Sequence, residues 1–321
     1  MKKTEIRQLF IVLTDKCNLK CKHCCFACSP IKNTFLPKEK VFQIIDNALR
    51  LNYDILDLSG GEPTIHPDFP EILAYAVKGP FRLIAIASNL YKVRDLGPLF
   101  KSMSAKDKDR LVFRIGIDGP NAAVHDDLRG KGAFDMTMKG MDFLREHGVK
   151  LQSANSLLSA RNYEYLDEMV EFINSQGFVN NNWIAIFPYG NGQEFSKNQL
   201  ATELWFGKLY ERCLEYSHKY STVFTYCGPF VKSEDHFKMF TLAKNNSNGL
   251  VVDQRGNVYA GCIRNMYTES PIANVFEQSF EECHQLTDTY FTDSTDCENC
   301  ESRFPCKGTF IYKNQSSVVK R

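Results

Sequence analysis

The chain has no apolar run that approaches the ~18 residues of a membrane span. Nor does it open on a secretion signal. Lys2 and Lys3 are basic, but the run after them, Leu9 to Leu13, is shorter than the ~7–15 apolar residues a signal needs. A charge of one sign is also missing. Lys and Arg number 39 against 38 Asp and Glu, a net charge of +1. That balance excludes the basic stripe of a nucleic-acid binder and the charged face of a membrane-surface protein. There is no low-complexity tract and no internal repeat, so the composition is that of an ordinary globular protein and solenoids drop out. These absences lead us to expect a cytoplasmic globular protein with neither nucleic acid nor membrane as partner.

What the chain has in excess is cysteine, twelve in 321 residues. They group at 17–28 and 297–306, with Cys213, Cys227, Cys262 and Cys283 between. Without a secretion signal, many cysteines read as metal ligands rather than disulfides. The length exceeds the ~250–300 residues at which single cores stop growing. One large domain (1–200) and a smaller one (201–321) are expected.

Apolar runs at 8–14, 54–58, 81–87, 111–117, 149–155 and 183–187 read as strands. Helical stretches alternate with most of them. After Pro37, Val41, Ile44, Ile45, Ala48 and Leu49 repeat with helical spacing. Further helices are expected at 68–77, at 134–147 with Gly148 as cap, and around Leu166, Met169, Val170 and Ile173 with Gly177 closing. A basic segment covers 92–102. Six alternations imply a parallel sheet, and the expected fold is α/β, a partial (βα)6 TIM-like barrel. Reactive groups of such barrels gather at the carboxyl ends of strands. Beyond 200 the pattern breaks. Leu209, Cys213, Tyr216 and Tyr220 share a helical face, residues 250–260 read as a hairpin, and a helix over 276–286 leads to the last cysteines.

Cys17, Cys21 and Cys24 form C-x3-C-x2-C directly after the first strand. Three thiolates can hold three irons of a cubane cluster, which usually takes four cysteines. An iron left open marks a reactive site rather than a structural one. A zinc loop is the alternative, but zinc prefers four protein ligands and paired C-x2-C units. The loop resembles that of the radical S-adenosylmethionine (SAM) superfamily, in which SAM chelates the open iron of a [4Fe-4S] cluster. The resemblance implies both cofactors, and it sets His23 against the adenine; otherwise His23 is an exposed loop histidine. Gly60, Gly61 and Glu62 follow the second strand. The glycine pair lets the backbone approach a ligand closely and Glu62 can accept from an ammonium; a plain turn is the alternative. Their place matches the family's SAM-methionine motif. Ser88, Asn89, Asp118 and Asn155, read as strand-end residues, resemble ribose-contacting positions, though strand-end polar residues also cap helices. The stretch Ile117-Asp118-Gly119-Pro120, with His125-Asp126 and Leu128-Arg129-Gly130, resembles the subgroup carrying a SPASM or twitch extension. There the equivalent of Arg129 meets the SAM carboxylate; a salt bridge is the alternative.

The C-terminal cysteines resemble that extension. A full SPASM unit carries another cysteine four residues after the last one and holds two auxiliary clusters. Here position 310 is Phe and no cysteine follows Cys306. A twitch-like extension with one auxiliary iron–sulfur cluster is therefore expected. Its ligands would be Cys262, Cys297, Cys300 and Cys306, with Cys227 as a fifth candidate or a free thiol. A zinc ribbon is the alternative. Cys213 and Cys283 read as core residues. Cys25 and Cys28, beside the first cluster, are either small loop residues or thiols able to return a hydrogen atom to a carbon radical. The string from His23 to Pro30 is similar to one in a peptide epimerase of this family.

The resemblance implies an enzyme of oxidoreductase or isomerase type. It would cleave SAM reductively and modify a ribosomal peptide by epimerisation, crosslinking or oxidation. A flavodoxin- or ferredoxin-type donor would supply the electron. The chain starts at its first strand, so an N-terminal peptide-recognition domain is expected to be lacking and a separate recognition protein becomes a partner to expect. A small substrate such as an aminoglycoside is the second reading. A non-catalytic metal sensor is the third, although a sensor has no need of the Gly60-Gly61-Glu62 turn.

Overall fold

The computed structural model describes residues 7–187, 189–197, 212–213, 215–227, 249–261 and 265–292. Seven parallel strands follow one another: β1 (Gln8–Val12), β2 (Ile55–Ser59), β3 (Leu83–Ser88), β4 (Leu111–Gly116), β5 (Ser153–Leu158), β6 (Asn180–Ala185) and β7 (Val223–Cys227). Between them lie α1 (Lys38–Arg50), α2 (Phe69–Lys78), α3 (Gly97–Ser102), α4 (Ala105–Asp109), α5 (Ala122–Arg129), α6 (Ala133–Glu146), α7 (Leu166–Ser175) and α8 (Gly192–Lys197). The first six strands and their helices are the partial barrel expected from the alternation.

Strand periodicity sorts the side chains. Leu9 and Ile11 of β1, Leu56 and Leu58 of β2, Ile84 and Ile86 of β3, and Leu111, Phe113 and Ile115 of β4 share one face. They meet the apolar stripes of α1 (Val41, Ile44, Ile45) and α2 (Ile72, Leu73) in one core. Each such side chain contributes about 1.5–3 kcal/mol by leaving water. The opposite face carries Gln8, Asp57 and Arg114, and a small cluster of Val12, Val251 and Tyr259 with Phe10 and Phe26.

The structure departs from the sequence reading in four places. β5 starts at Ser153 rather than Val149 and runs past Asn155, because β6 continues to pair with it up to Leu158 after β4 has ended at Gly116. Asn155 is therefore mid-strand, not a strand-end residue. The seventh strand was not expected. The 250–260 hairpin is β8 (Gly249–Val252) and β9 (Asn257–Ala260), and β8 pairs in parallel with β1, so the sheet continues through it to β10 (Ala273–Asn274). Two helices follow, α9 (Asn265–Thr268) and α10 (Phe280–Thr292). Phe276 precedes α10 instead of lying on it; its ring is half exposed under the Lys40 ammonium. Cys213 and Cys283 are buried in the main core, as read. Among the described residues no helix is long and apolar enough to cross a membrane.

Candidate functional site

The cysteine loop leaves the carboxyl end of β1, and the turn after β2 grips its stem. Gly61 donates its amide to Thr14 O at 2.7 Å and Glu62 donates to Lys16 O at 2.9 Å. A Cβ on Gly60, at φ +150°, would lie 2.6 Å from Thr14 O, and one on Gly61 2.2 Å from Lys16 O. The close approach these glycines permit here is to the chain's own backbone.

Glu62 is fully buried below that turn. Its carboxylate accepts from Thr64 N (3.1 Å), Thr64 Oγ1 (2.6 Å), Ser88 Oγ (2.7 Å) and Asn89 N (2.7 Å). Burial pushes its pKa up against those four donors. Asn89 in turn donates from Nδ2 to Asn18 Oδ1 at 2.9 Å and reaches Cys17 Sγ at 3.8 Å. Glu62, Ser88 and Asn89 thus form one network that fastens the ends of β2 and β3 to the cysteine loop.

A second network hangs on Asp118, fully buried after β4. Oδ2 lies 2.8 Å from His23 Nε2 and accepts from Arg129 Nε at 2.6 Å; Oδ1 accepts from Leu157 N at 2.8 Å. Burial works to raise this carboxyl, but the Arg129 charge and His23 overcome it and hold it well below the usual range. Residue His23 is 5% exposed, so the alternative of a solvent-facing loop histidine is corrected: the Asp118 carboxylate draws it in. The Arg129 guanidinium packs where Gly116 leaves room, since a Cβ there would lie 2.2 Å from Nη1. No acceptor among the described residues meets its two terminal nitrogens. Asn155 Oδ1 accepts from Asn182 Nδ2 at 3.1 Å across β5 and β6. His125 accepts from Asp118 N on Nδ1 at 3.2 Å and is lowered to about 4 by burial; its Nε2 has no partner among the described residues.

Cys17, Cys21, Cys24, Cys25 and Cys28 are all free thiols. Burial pushes Cys17 up to about 12 and Cys21 to about 11. The neighbouring Cys28 thiol lowers Cys24 below the usual thiol range. Leu19 N donates to Cys17 Sγ at 3.4 Å, and the Arg129 charge acts on Cys21. Three thiols, with N–H donors at Cys17 and a buried cation beside Cys21, suit a cluster whose iron replaces the protons. Among the described residues no group of three or more His, Cys, Asp or Glu is gathered for a single metal ion. Cys25 Sγ accepts from Tyr267 Oη at 3.5 Å, so Cys25 faces the hairpin side of the loop. Cys262, Cys297, Cys300 and Cys306 lie outside the described residues, and of Cys227 only the backbone, at the end of β7, is described.

A family model, the radical SAM superfamily, matches residues 11–173, half of the chain. The chain belongs to the radical SAM superfamily. Its cofactors are those of the family, a [4Fe-4S] cluster and SAM, and the donor set at 17–24 fits the cluster. An AdoMet-dependent heme synthase of Methanosarcina barkeri is 32% identical over 57% of this chain and 51% of its own length. The subtilosin biosynthesis protein AlbA of Bacillus subtilis is 30% identical over 56% of this chain and 39% of its own. This radical SAM chain therefore spans about half the length, or less, of these curated relatives. SuiB of Streptococcus suis, solved bound to precursor peptide SuiA, superposes with a TM-score of 0.72 over 91% of this chain and 68% of that one. At 16% identity that likeness is one of fold. The relatives agree with the SPASM/twitch subgroup read from the sequence.

The sequence reading missed Gly116, Gly190 and Asn191. Gly116 sits inside an apolar strand where only the distant Arg129 explains it. The other two follow β6, where the chain reads as an ordinary turn.

Proposed function

We propose that this chain modifies a ribosomally made peptide by hydrogen-atom abstraction, as an oxidoreductase or isomerase. The observation that carries the reading is the convergence on one loop of three free thiols, the buried Asp118–Arg129–His23 network and the Gly60-Gly61-Glu62 turn. When bound, cluster and SAM supply reductive carbon–sulfur cleavage and the 5′-deoxyadenosyl radical that takes the hydrogen. The protein's part is positioning. Cys17, Cys21 and Cys24 would hold three irons. Arg129, with Nε fixed on Asp118, would offer its terminal nitrogens to the SAM carboxylate. His23, held by Asp118, would serve the adenine. Glu62, Ser88 and Asn89 keep the β2 and β3 ends in place, and Asn155, held by Asn182, would serve as a ribose contact. A flavodoxin- or ferredoxin-type protein donates the electron.

Peptide as substrate is supported by AlbA among the relatives and by the peptide-bound structures of SuiB and anSMEcpe. The heme synthase match favours a second reading, a small molecule. Beyond residue 200 the chain first completes the barrel's sheet through β7 and β8, and in that part Cys262, Cys297, Cys300 and Cys306 would hold one auxiliary cluster. Cys25 and Cys28 are candidates for returning a hydrogen atom, and Cys227, a further catalytic candidate, is either a fifth auxiliary ligand or a free thiol.

Anaerobic reconstitution with SAM and a reductant tests the reading. A Cys17→Ala, Cys21→Ala, Cys24→Ala variant should release no 5′-deoxyadenosine; retained release would remove the assignment. Replacing Cys297 and Cys300 with Ala should lower iron by about one cluster and leave some SAM cleavage. Unchanged iron with a loss of zinc would point to a zinc ribbon instead.

A further inference from the structure

We infer that the turn from Tyr189 to Gly192, after β6, is a clamp that positions the cluster loop, with Asn191 as its principal side chain. The inference rests on the cluster site at Cys17, Cys21 and Cys24. Between Cys21 and Cys24 the loop has only one backbone bond of its own, Cys24 N to Cys21 O at 3.3 Å. Asn191 fills the other lone pair of each ligand carbonyl. Its Nδ2 donates to Cys21 O at 3.0 Å and its backbone amide to Cys24 O at 2.9 Å. Two of the three ligand-bearing peptide units are thereby fixed by a residue about 170 positions further along the chain.

The glycines on either side make this approach possible. Gly190 adopts φ +55°, and a Cβ there would lie 2.3 Å from Cys25 O and 2.7 Å from Cys24 O. A Cβ on Gly192 would lie 2.3 Å from Phe187 O and 3.2 Å from His23 O. Tyr189 stacks on Tyr267 with ring centroids 5.2 Å apart, and Tyr267 donates to Cys25 Sγ. The clamp therefore joins the end of β6 and the hairpin extension to the loop after β1. A cluster ligand is only as well aimed as the backbone that carries it, and outer-shell partners of metal ligands set much of the site's hold on its metal. Asn191 acts through Cys21 and Cys24, so it is a positioning residue.

The test uses full-length protein reconstituted anaerobically with iron and sulfide. Asn191→Asp keeps the shape and removes the donor; Asn191→Ala removes the side chain. Both should melt like wild type as apoprotein, yet lose iron to EDTA about 10–100-fold faster. The electron paramagnetic resonance signal of the reduced cluster should also change its response to SAM. If both variants keep iron at the wild-type rate with the wild-type signal, the clamp is wrong. Should Asn191→Asp prove insoluble, Asn191→Ala decides alone, since it only removes atoms. Failure of the underlying functional reading would show separately, as wild-type protein that loads no cluster, and would overturn the clamp with it.

Discussion

Two buried acid–base pairs sit at different heights in the same barrel, and they are built differently. At the mouth, Asp118 has donors on both oxygens: Arg129 and His23 on one, Leu157 N on the other. At the floor, Asp57 of β2 pairs with Arg114 of β4, and Gln8 donates to the same oxygen at 3.1 Å. Asp57 Oδ1 has no partner among the described residues, and neither do Ser153 Oγ and Asn180 Oδ1, which are in register with Arg114 on β5 and β6. A buried polar atom left unpaired costs about 1–3 kcal/mol. At the mouth both carboxylate oxygens have donors, while the terminal nitrogens of Arg129 keep their hydrogens free of any acceptor among the described residues. The floor is a buried charge pair with one carboxylate oxygen left without a donor among the described residues, so it offsets less of its own desolvation. Burial of an ion pair therefore says little about its use; the completeness of its partners says more.

The largest effect is expected at Asp118. Asp118→Asn leaves Arg129 buried without a counter-charge and should cost about 3–5 kcal/mol in denaturant unfolding, with SAM cleavage lost. The pH profile sharpens this. The folded pKa of Asp118 lies below its unfolded value of ~3.9, so its stabilisation is complete above that value and drains as pH falls toward the folded pKa. The gap between wild type and variant should hold from pH 7 to about 5 and narrow below about 4. Glu62 and Asp57 run the other way. Their folded values are raised by burial, so each weakens the fold as pH rises through that range and neither can produce the narrowing. A gap that widens in acid would contradict the role given to Asp118.

Next in size is Gly61. Its Cβ would meet Lys16 O and C at 2.2 and 2.6 Å, backbone atoms that cannot swing aside. Gly61→Ala should therefore cost about 1–3 kcal/mol, read from the denaturation midpoint, and lower iron loading because the loop stem shifts. An unperturbed midpoint would mean that the turn yields, and that the mouth is less rigid than its contacts imply.

These two residues also mark what the sequence could and could not convey. The spacing of Cys17, Cys21 and Cys24 and the stripes of α1 and α7 were legible because they are local: a metal loop and a helix face repeat over a few residues. Gly61 was legible as a glycine needed for close approach, but its partner, Lys16, was not, since no local pattern names what a backbone will meet. Asp118, Arg129 and His23 were each singled out separately, and only the fold shows two of them converging on the third. Asn155 was placed at a strand end because the fifth run was read as stopping there, while pairing with β6 carries the strand on to Leu158. The parallel pairing of β8 with β1 joins segments more than 200 residues apart, beyond any periodicity.

The smallest effect is expected at the floor, and it tests the contrast from the other side. Removing Asp57 alone takes away the carboxylate partner of Arg114 and should cost about 3–5 kcal/mol, much as at the mouth. Removing both charges is different. Asp57→Leu with Arg114→Met fills similar volume with apolar atoms in a barrel already lined on this face by Phe10 and Val12. Such swaps are often neutral or stabilising by 1–4 kcal/mol. The double variant should unfold at or above the wild-type midpoint, load iron normally and release 5′-deoxyadenosine at the wild-type rate. The matching pair of changes at Asp118 and Arg129 should relieve the stranded charge in the same way yet leave SAM cleavage abolished, because there the guanidinium itself is needed. If the floor double variant also loses cleavage while staying folded, Asp57 and Arg114 take part in the chemistry, and the division between a working mouth and a merely filled floor fails.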